Sequence, residues 1–189
     1  MSKNTRNTET KQFIRWAIAK LLEQHSFEEI SVTMICREAA INRGTFYLHY
    51  LDKYDMMDKL KEETFSHIYA IISEDTKALT REVILAALQY IAEDFDFISV
   101  IASSTYVNLP KSIREFINYI LDGISNFDDL ISQELIVPEK FARTAYVASI
   151  ESIISKWVIE GGQESPEEMA DIIYQIATFY LMFKAFLIV

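Results

Sequence analysis

From Met169 to the end of the chain, an apolar residue returns at alternating spacings of four and three: Met169, Ile173, Ile176, Tyr180, Phe183, Leu187. That phase belongs to a helix with a coiled-coil-like seam, because a strand alternates its faces every second residue. Ile172, Phe179 and Phe186 widen the stripe. The rest of the chain obeys the same rule. "KQFIRWAIAKLLEQH" sets Ile14, Ala17, Ile18, Leu21 and Leu22 on one helical face. Only 4 glycines and 3 prolines stand among 189 residues, too little turn chemistry for a sandwich or barrel. The expected class is all-α.

Local signals divide the helices. Ser31 caps "SVTMICREAA", with Met34, Ile35 and Ala39 facing inward. Asn42 caps a very short third helix, and Asp52 caps a longer one over 53–74. Thr80 caps "REVILAALQYIAEDF", while Pro110 and Pro138 sit at the first turns of the next two helices. Gly161-Gly162 ends "EKFARTAYVASIESIISKWVIE". Ser165, Pro166 and Glu168 form a capping box at the start of the last helix. Three short helices, the second and third joined by a brief turn, make a helix-turn-helix unit over residues 1–52. Residues 53–189 are expected to form a second, helical body.

The third helix carries the functional question, in the stretch "NRGTFYLHY". At about 100° per residue, Phe46 and Tyr50 share one face and anchor it. Gly44 and Leu48 lie nearly opposite, flanked by Thr45 and Tyr47, with Arg43 and His49 at the borders. A glycine admits a close backbone approach, and the surrounding side chains are donors suited to phosphate oxygens. Arg43 can also grip a guanine edge with two bonds. The second element of a helix-turn-helix is the one that enters the major groove.

Charge is distributed to match. Through Lys61 there are 10 Lys/Arg against 8 Asp/Glu, a net of +2, while the remainder carries −12. A slightly basic head on an acidic body is the asymmetry expected if only the head meets a polyanion.

"SVTMICREAAINRGTFYLHYLDKYDMM" resembles the helix-turn-helix of the tetracycline-repressor (TetR) family of bacterial regulators. Ser31, Ile35, Gly44, Thr45, Phe46, Tyr47, His49, Tyr50 and Lys53 follow its pattern at fixed spacing, over the first third of the chain. The resemblance implies a transcription regulator, with phosphate contacts from Thr45, Tyr47, His49 and Lys53 and base-edge reading by Arg43 and Leu48. It places another backbone contact at Thr33, in the first turn of the second helix. Two departures stand out: Ala40 and Ser26 occupy positions where the family usually has glycine. A left-handed backbone at either would cost a non-glycine residue about 1 kcal/mol. "SKWVIEGGQESPEEMAD" resembles a branch of Gram-positive regulators that includes activators of dihydroxyacetone-kinase operons.

The seam of the last helix is matched by Val147, Ile150, Ile154 and Trp157 in the helix before it, with Ala145, Ser149 and Ser152 as a small-residue strip. This is more apolar surface than one domain covers. The expected interface of a homodimer is therefore Ile150, Ile154, Trp157, Ile173, Ile176, Tyr180, Phe183 and Leu187, an arrangement the resemblance also implies. Two subunits would present two heads to successive major grooves of a double-stranded DNA operator. Phe95, Phe97, Tyr106, Phe116, Tyr119 and Tyr146 are the candidate walls of an effector pocket for a small molecule, and a protein effector is the other option. Aromatics at helical spacing serve more often as core than as pocket walls.

Other classes fare worse. "IIYQIATFYLMFKAFLIV" is just long enough to span a membrane, but its Gln175, Lys184 and periodicity favour a buried interface. The polar N-terminus holds no signal-peptide core, and one cysteine, Cys36, fits the reducing cytoplasm. No enzyme, cofactor or metal is expected: His25, His49 and His67 fall on separate helices, and no phosphate loop or nucleophile elbow is visible. Asp94, Asp96, Asp128 and Asp129 read as loop charges. The competing class is a helical adaptor whose body binds a protein and whose head is vestigial. Such a chain has no use for Thr45, Tyr47 and His49 together.

Overall fold

The computed structural model describes residues 3–74, 80–135 and 137–182, with residues 3–8, 74, 134–135 and 179–182 described by backbone alone. Among the described residues there are ten helices and no strand. They are α1 (Lys3–Leu22), α2 (Val32–Glu38), α3 (Arg43–Tyr47), α4 (Lys53–Glu74), α5 (Arg81–Glu93), α6 (Phe95–Ser103), α7 (Leu109–Asp122), α8 (Phe127–Leu135), α9 (Glu139–Ile159) and α10 (Pro166–Met182). The all-helical expectation holds.

Capping explains most of the boundaries. Ser31 Oγ accepts from Met34 N–H at 3.2 Å, and Asn42 Oδ1 from Thr45 N–H at 2.8 Å. Asp52 Oδ1 takes the N–H groups of Tyr54 and Asp55. Thr80 receives Val83 N–H, and Ser165 and Glu168 exchange the two bonds of a capping box. Pro110 lies inside α7, but the cap is Asn108, which sequence reading passed over. Pro138 is itself the cap residue of α9 and makes no side-chain capping bond.

Two short helices escaped the sequence reading. The backbone breaks at Asp94 (φ −130°, ψ 35°), so α5 ends there and α6 begins as a separate helix. Asp96, and likewise Asp128 and Asp129, occupy the first turns of α6 and α8. These carboxylates meet the exposed N–H ends of helices instead of standing in loops. Asp128 also accepts from Arg143 Nη1 at 2.9 Å.

Contacts divide the chain into two compact units. One comprises Met1–His67 and Asp96–Val107; the other comprises Ile68–Phe95 and Asn108–Val189. In the first, Ile14, Ile18, Phe27, Ile35, Phe46 and Met57 form a core completed by Phe97 and Ile101 of α6. In the second, α10 lies against α5, α8 and α9, and α9 lies against α7 and α8. Its interior includes Leu88, Leu121, Ile131, Tyr146, Trp157 and Ile173.

Helices α2 and α9 both end in Schellman turns. In α9, Gly162 N–H reaches Trp157 O and Gly161 N–H reaches Val158 O, with both glycines at positive φ. In α2, Ile41 N–H reaches Cys36 O and Ala40 N–H reaches Arg37 O, with Ala40 at φ 52°. The alanine sits where glycine is comfortable, whereas Ser26 is not among the positive-φ residues. Ala40→Gly is therefore expected to raise stability by about 0.5–1 kcal/mol, relief of left-handed strain outweighing the added freedom of the unfolded chain. A denaturant midpoint that falls in the glycine variant would refute the assignment of strain.

Candidate nucleic-acid interface

Helix α3 is a short rod fixed from one side. Phe46 is 0% exposed and Tyr50 2%, their rings 5.5 Å apart in the first unit's core. On the opposite side Leu48 is 83% exposed and Tyr47 47%, and Gly44, Arg43 and Asn42 are also open to solvent. The face expected to be bare is bare. Gly44 has a local purpose too, since an added Cβ would come within 3.2 Å of Asn42 Oδ1, the atom that caps the helix.

Several donors of the expected contact residues are already engaged. Thr45 Oγ1 donates to Asn42 Oδ1 at 3.1 Å. Arg43 Nη2 donates to Tyr47 Oη at 3.2 Å. Lys53 Nζ donates to three carbonyls, Phe27 O at 2.7 Å, Glu28 O at 2.9 Å and Ile30 O at 2.8 Å. An ammonium has three protons, so Lys53 is a saturated strut that ties the 27–30 turn to the start of α4. It reaches a phosphate only by giving up or sharing one of those bonds. Thr33 is exposed in the first turn of α2.

His49 is half-buried in the turn after α3, not on a helix; His25 likewise sits in a turn, beyond α1. Burial, with the Lys11 charge second, holds the His49 imidazole below its ordinary pKa. Lys11 is paired with Glu63, and Lys59 donates to His49 O at 3.3 Å. Burial and the Lys11 charge both bias the ring toward its neutral form. Cys36 is buried, and burial pushes its thiol up, which leaves it a small apolar filler. Among the described residues no group of three or more His, Cys, Asp or Glu side chains is placed to hold a metal.

In the second unit the candidate pocket residues separate into distinct settings. Tyr146 meets Phe127 edge-on at 5.0 Å, the exposed Tyr119 meets Tyr69 at 4.9 Å, and Phe95 meets Trp157 at 5.2 Å. Phe116 is half-buried on α7. Phe97 and Tyr106 belong to the first unit, where Tyr106 stacks on Phe27 at 4.7 Å and donates to Asp58. The expected interface residues also divide. Ile150, Trp157 and Ile173 are buried by their own chain, Ile154 and Ile176 are half-buried, and Tyr180's side chain, Phe183 and Leu187 lie outside the described residues. Helix α5 lies against α10, and Met169 and Ile173 are buried. Left open are Ile159, 60% exposed, Ile172, and the small-residue strip at Ala145 and Ser152. Among the described residues no helix is long and apolar enough to cross a membrane.

Sequence reading missed a buried polar group. Glu151 falls in the apolar phase of α9 and is almost wholly buried. It accepts from Ser155 Oγ at 2.7 Å and Arg114 Nη1 at 3.0 Å. Its place one turn after Val147 was the available signal.

Two family profiles match the chain. "Bacterial regulatory proteins, tetR family" matches residues 14–60, and "Transcriptional regulator C-terminal region" matches residues 78–179, more than half of the chain. The chain belongs to the tetR family. Among known proteins, this tetR-family transcriptional regulator is 26% identical over 160 residues to the fatty acid metabolism regulator protein of Bacillus subtilis (strain 168), a match covering 76% of this chain and 80% of that protein. Its fold matches that of a TetR transcriptional regulator from Streptococcus agalactiae 2603V, with TM-score 0.63, 19% identity and coverage of 93% and 97% of the two chains. It also matches the dihydroxyacetone kinase operon activator DhaS, with TM-score 0.57, 20% identity and coverage of 94% and 97%. The α2–α3 face just described lies inside the residues matched by the first profile.

Proposed function

We propose that this regulator acts in the cytoplasm as a homodimer whose two α3 helices enter successive major grooves of a near-palindromic operator, about 34–36 Å apart. Residues 1–52 supply the reading head and 53–189 the regulatory and dimerisation body. The observation that carries this reading is the two-sidedness of α3: Phe46 and Tyr50 locked in the core, Gly44 and Leu48 turned out to solvent. Thr33, Thr45, Tyr47 and His49 address phosphates, Lys53 stiffens the platform behind them, and Arg43 and Leu48 face base edges. Second-subunit contact falls on the open strip of α9 and its neighbours on α10, at Ala145, Ser152, Ile159, Ile172 and Ile176. The body takes an effector, a small molecule or a protein, which shifts the population of head spacings through α4. That helix runs unbroken from the first unit into the second.

Selection of bound fragments from random duplex DNA, with and without cell extract, tests the proposal. A two-fold symmetric consensus is the expected product, and no enrichment, or affinity independent of salt, sinks it.

His49 adds a pH signature. Burial biases its imidazole toward the neutral form in the free protein, and a phosphate oxygen beside it favours the protonated ring, so binding takes up a proton. Operator affinity is expected to rise as pH falls from 8 to 6, by up to about tenfold per unit between the bound and free pKa values, and to level off below the free one. His49→Gln should flatten that dependence. In the free protein the sign is opposite: the depressed pKa contributes stability above the unfolded value, lost as pH falls. A pH profile unchanged in His49→Gln removes His49 from the contact set.

A further inference from the structure

Arg43 and Tyr47 stand one turn apart on the exposed side of α3, and they are joined. The guanidinium Nη2 donates to the phenol oxygen at 3.2 Å, and the guanidinium carbon Cζ lies 5.8 Å from the ring centroid. The Tyr47 ring is set edge-on against Phe46, centroids 5.5 Å apart at 89°, and Phe46 is fully buried. Rigidity thus passes outward from the core through Phe46 to Tyr47, and from its oxygen to Arg43. An exposed arginine at the start of a five-residue helix would otherwise sample many rotamers.

The chemistry of the pair is complementary. A phenol oxygen that accepts from arginine keeps its own proton, free to be donated to a phosphate. Accepting from a cation polarises that O–H and makes it a better donor. Arginine has five N–H donors, so one spent on Tyr47 leaves enough for two-bond recognition of a guanine edge.

Building on the operator-binding reading above, we propose that Arg43 and Tyr47 form a single recognition unit. Tyr47 donates to a phosphate while holding Arg43 in register over a base edge. Tyr47 is then a positioning residue for specificity as well as a backbone contact, and its loss costs sequence preference as well as affinity.

The test uses the full-length protein and the operator selected as above, with a set of single-base variants of that operator. Affinities are measured for the parent, Tyr47→Phe, Arg43→Ala, the double variant and Thr45→Val. Phe in place of Tyr47 retains the edge contact with Phe46, and a thermal melt confirms folding. Tyr47→Phe is expected to bind more weakly and to lose about three- to tenfold of the discrimination at the base pair where Arg43→Ala loses it. The double variant should discriminate no worse there than Arg43→Ala alone. Thr45→Val should weaken all sequences by one common factor. The proposal is overturned if Tyr47→Phe also weakens every operator variant equally, or if the two losses of discrimination multiply in the double variant. Failure of the parent to enrich any operator is a different result, and it rejects the DNA-binding reading itself.

Discussion

Phe46→Ala is expected to cost the first unit about 3–5 kcal/mol and to abolish operator binding under conditions where the body remains folded. Phe46 is fully buried beside Ile35 and Met57, and it is one of two rings that hold α3 against the rest of the head. Five helical residues cannot sustain themselves in water. Remove the ring and the rod loses its reason to be helical, so the recognition face disperses along with the core. Tyr50→Phe is the instructive control. The Tyr50 hydroxyl is buried without a hydrogen-bond partner among the described residues, and burial pushes the phenol up to about 12. Its removal should be neutral or stabilise by about 1 kcal/mol, because an unsatisfied buried hydroxyl is a liability. Denaturation followed by near-ultraviolet circular dichroism, with binding to the selected operator in parallel, decides both. A Phe46→Ala variant that loses under about 1 kcal/mol while still binding DNA would show that α3 is not held as described.

Gly162→Ala should destabilise the second unit by about 2–4 kcal/mol, combining left-handed strain with overpacking. Gly162 has φ 63°, and a Cβ there would sit 2.5 Å from the Phe95 ring. That ring packs edge-on against Trp157, whose indole N–H donates to Glu164 O at 3.0 Å. The corner after α9 is therefore built around the absence of one methyl group. Gly161→Ala provides the comparison within the same turn. It has φ 88° and nothing within 4 Å of its would-be Cβ, so it suffers only the backbone strain, about 1 kcal/mol. Equal losses in the two variants, measured by urea unfolding, would remove the ring contact from the explanation.

Much of this was legible beforehand because it is local. Ser31, Asn42, Thr80 and Ser165 cap within three residues of themselves, and the α3 wheel depends only on 3.6 residues per turn. The buried Phe46 and exposed Leu48 followed from that period alone. Less was legible where a residue's partner is remote. Lys53 donates to carbonyls 23 to 26 positions earlier, contacts that no local pattern announces. Arg143 gathers Asp122, Asp128 and Asn118 from α7 and α8, which turns apparent loop charges into anchored helix starts. Glu151 seemed one acid among many until Arg114 of α7 and Ser155 met it in the interior.

What the amino-acid order determined alone was the helical class, most helix ends, the two-sided third helix and the family pattern it carries. Each of these is set by interactions spanning fewer than about five residues, and such interactions repeat wherever the same residues recur. What only the tertiary structure decided was coverage. Helix α5 lies against α10, and four of the candidate pocket aromatics, Phe95, Tyr106, Tyr119 and Tyr146, went to separate ring contacts. An apolar stripe specifies that it must be buried, but it does not specify by what, because the hydrophobic effect has no direction.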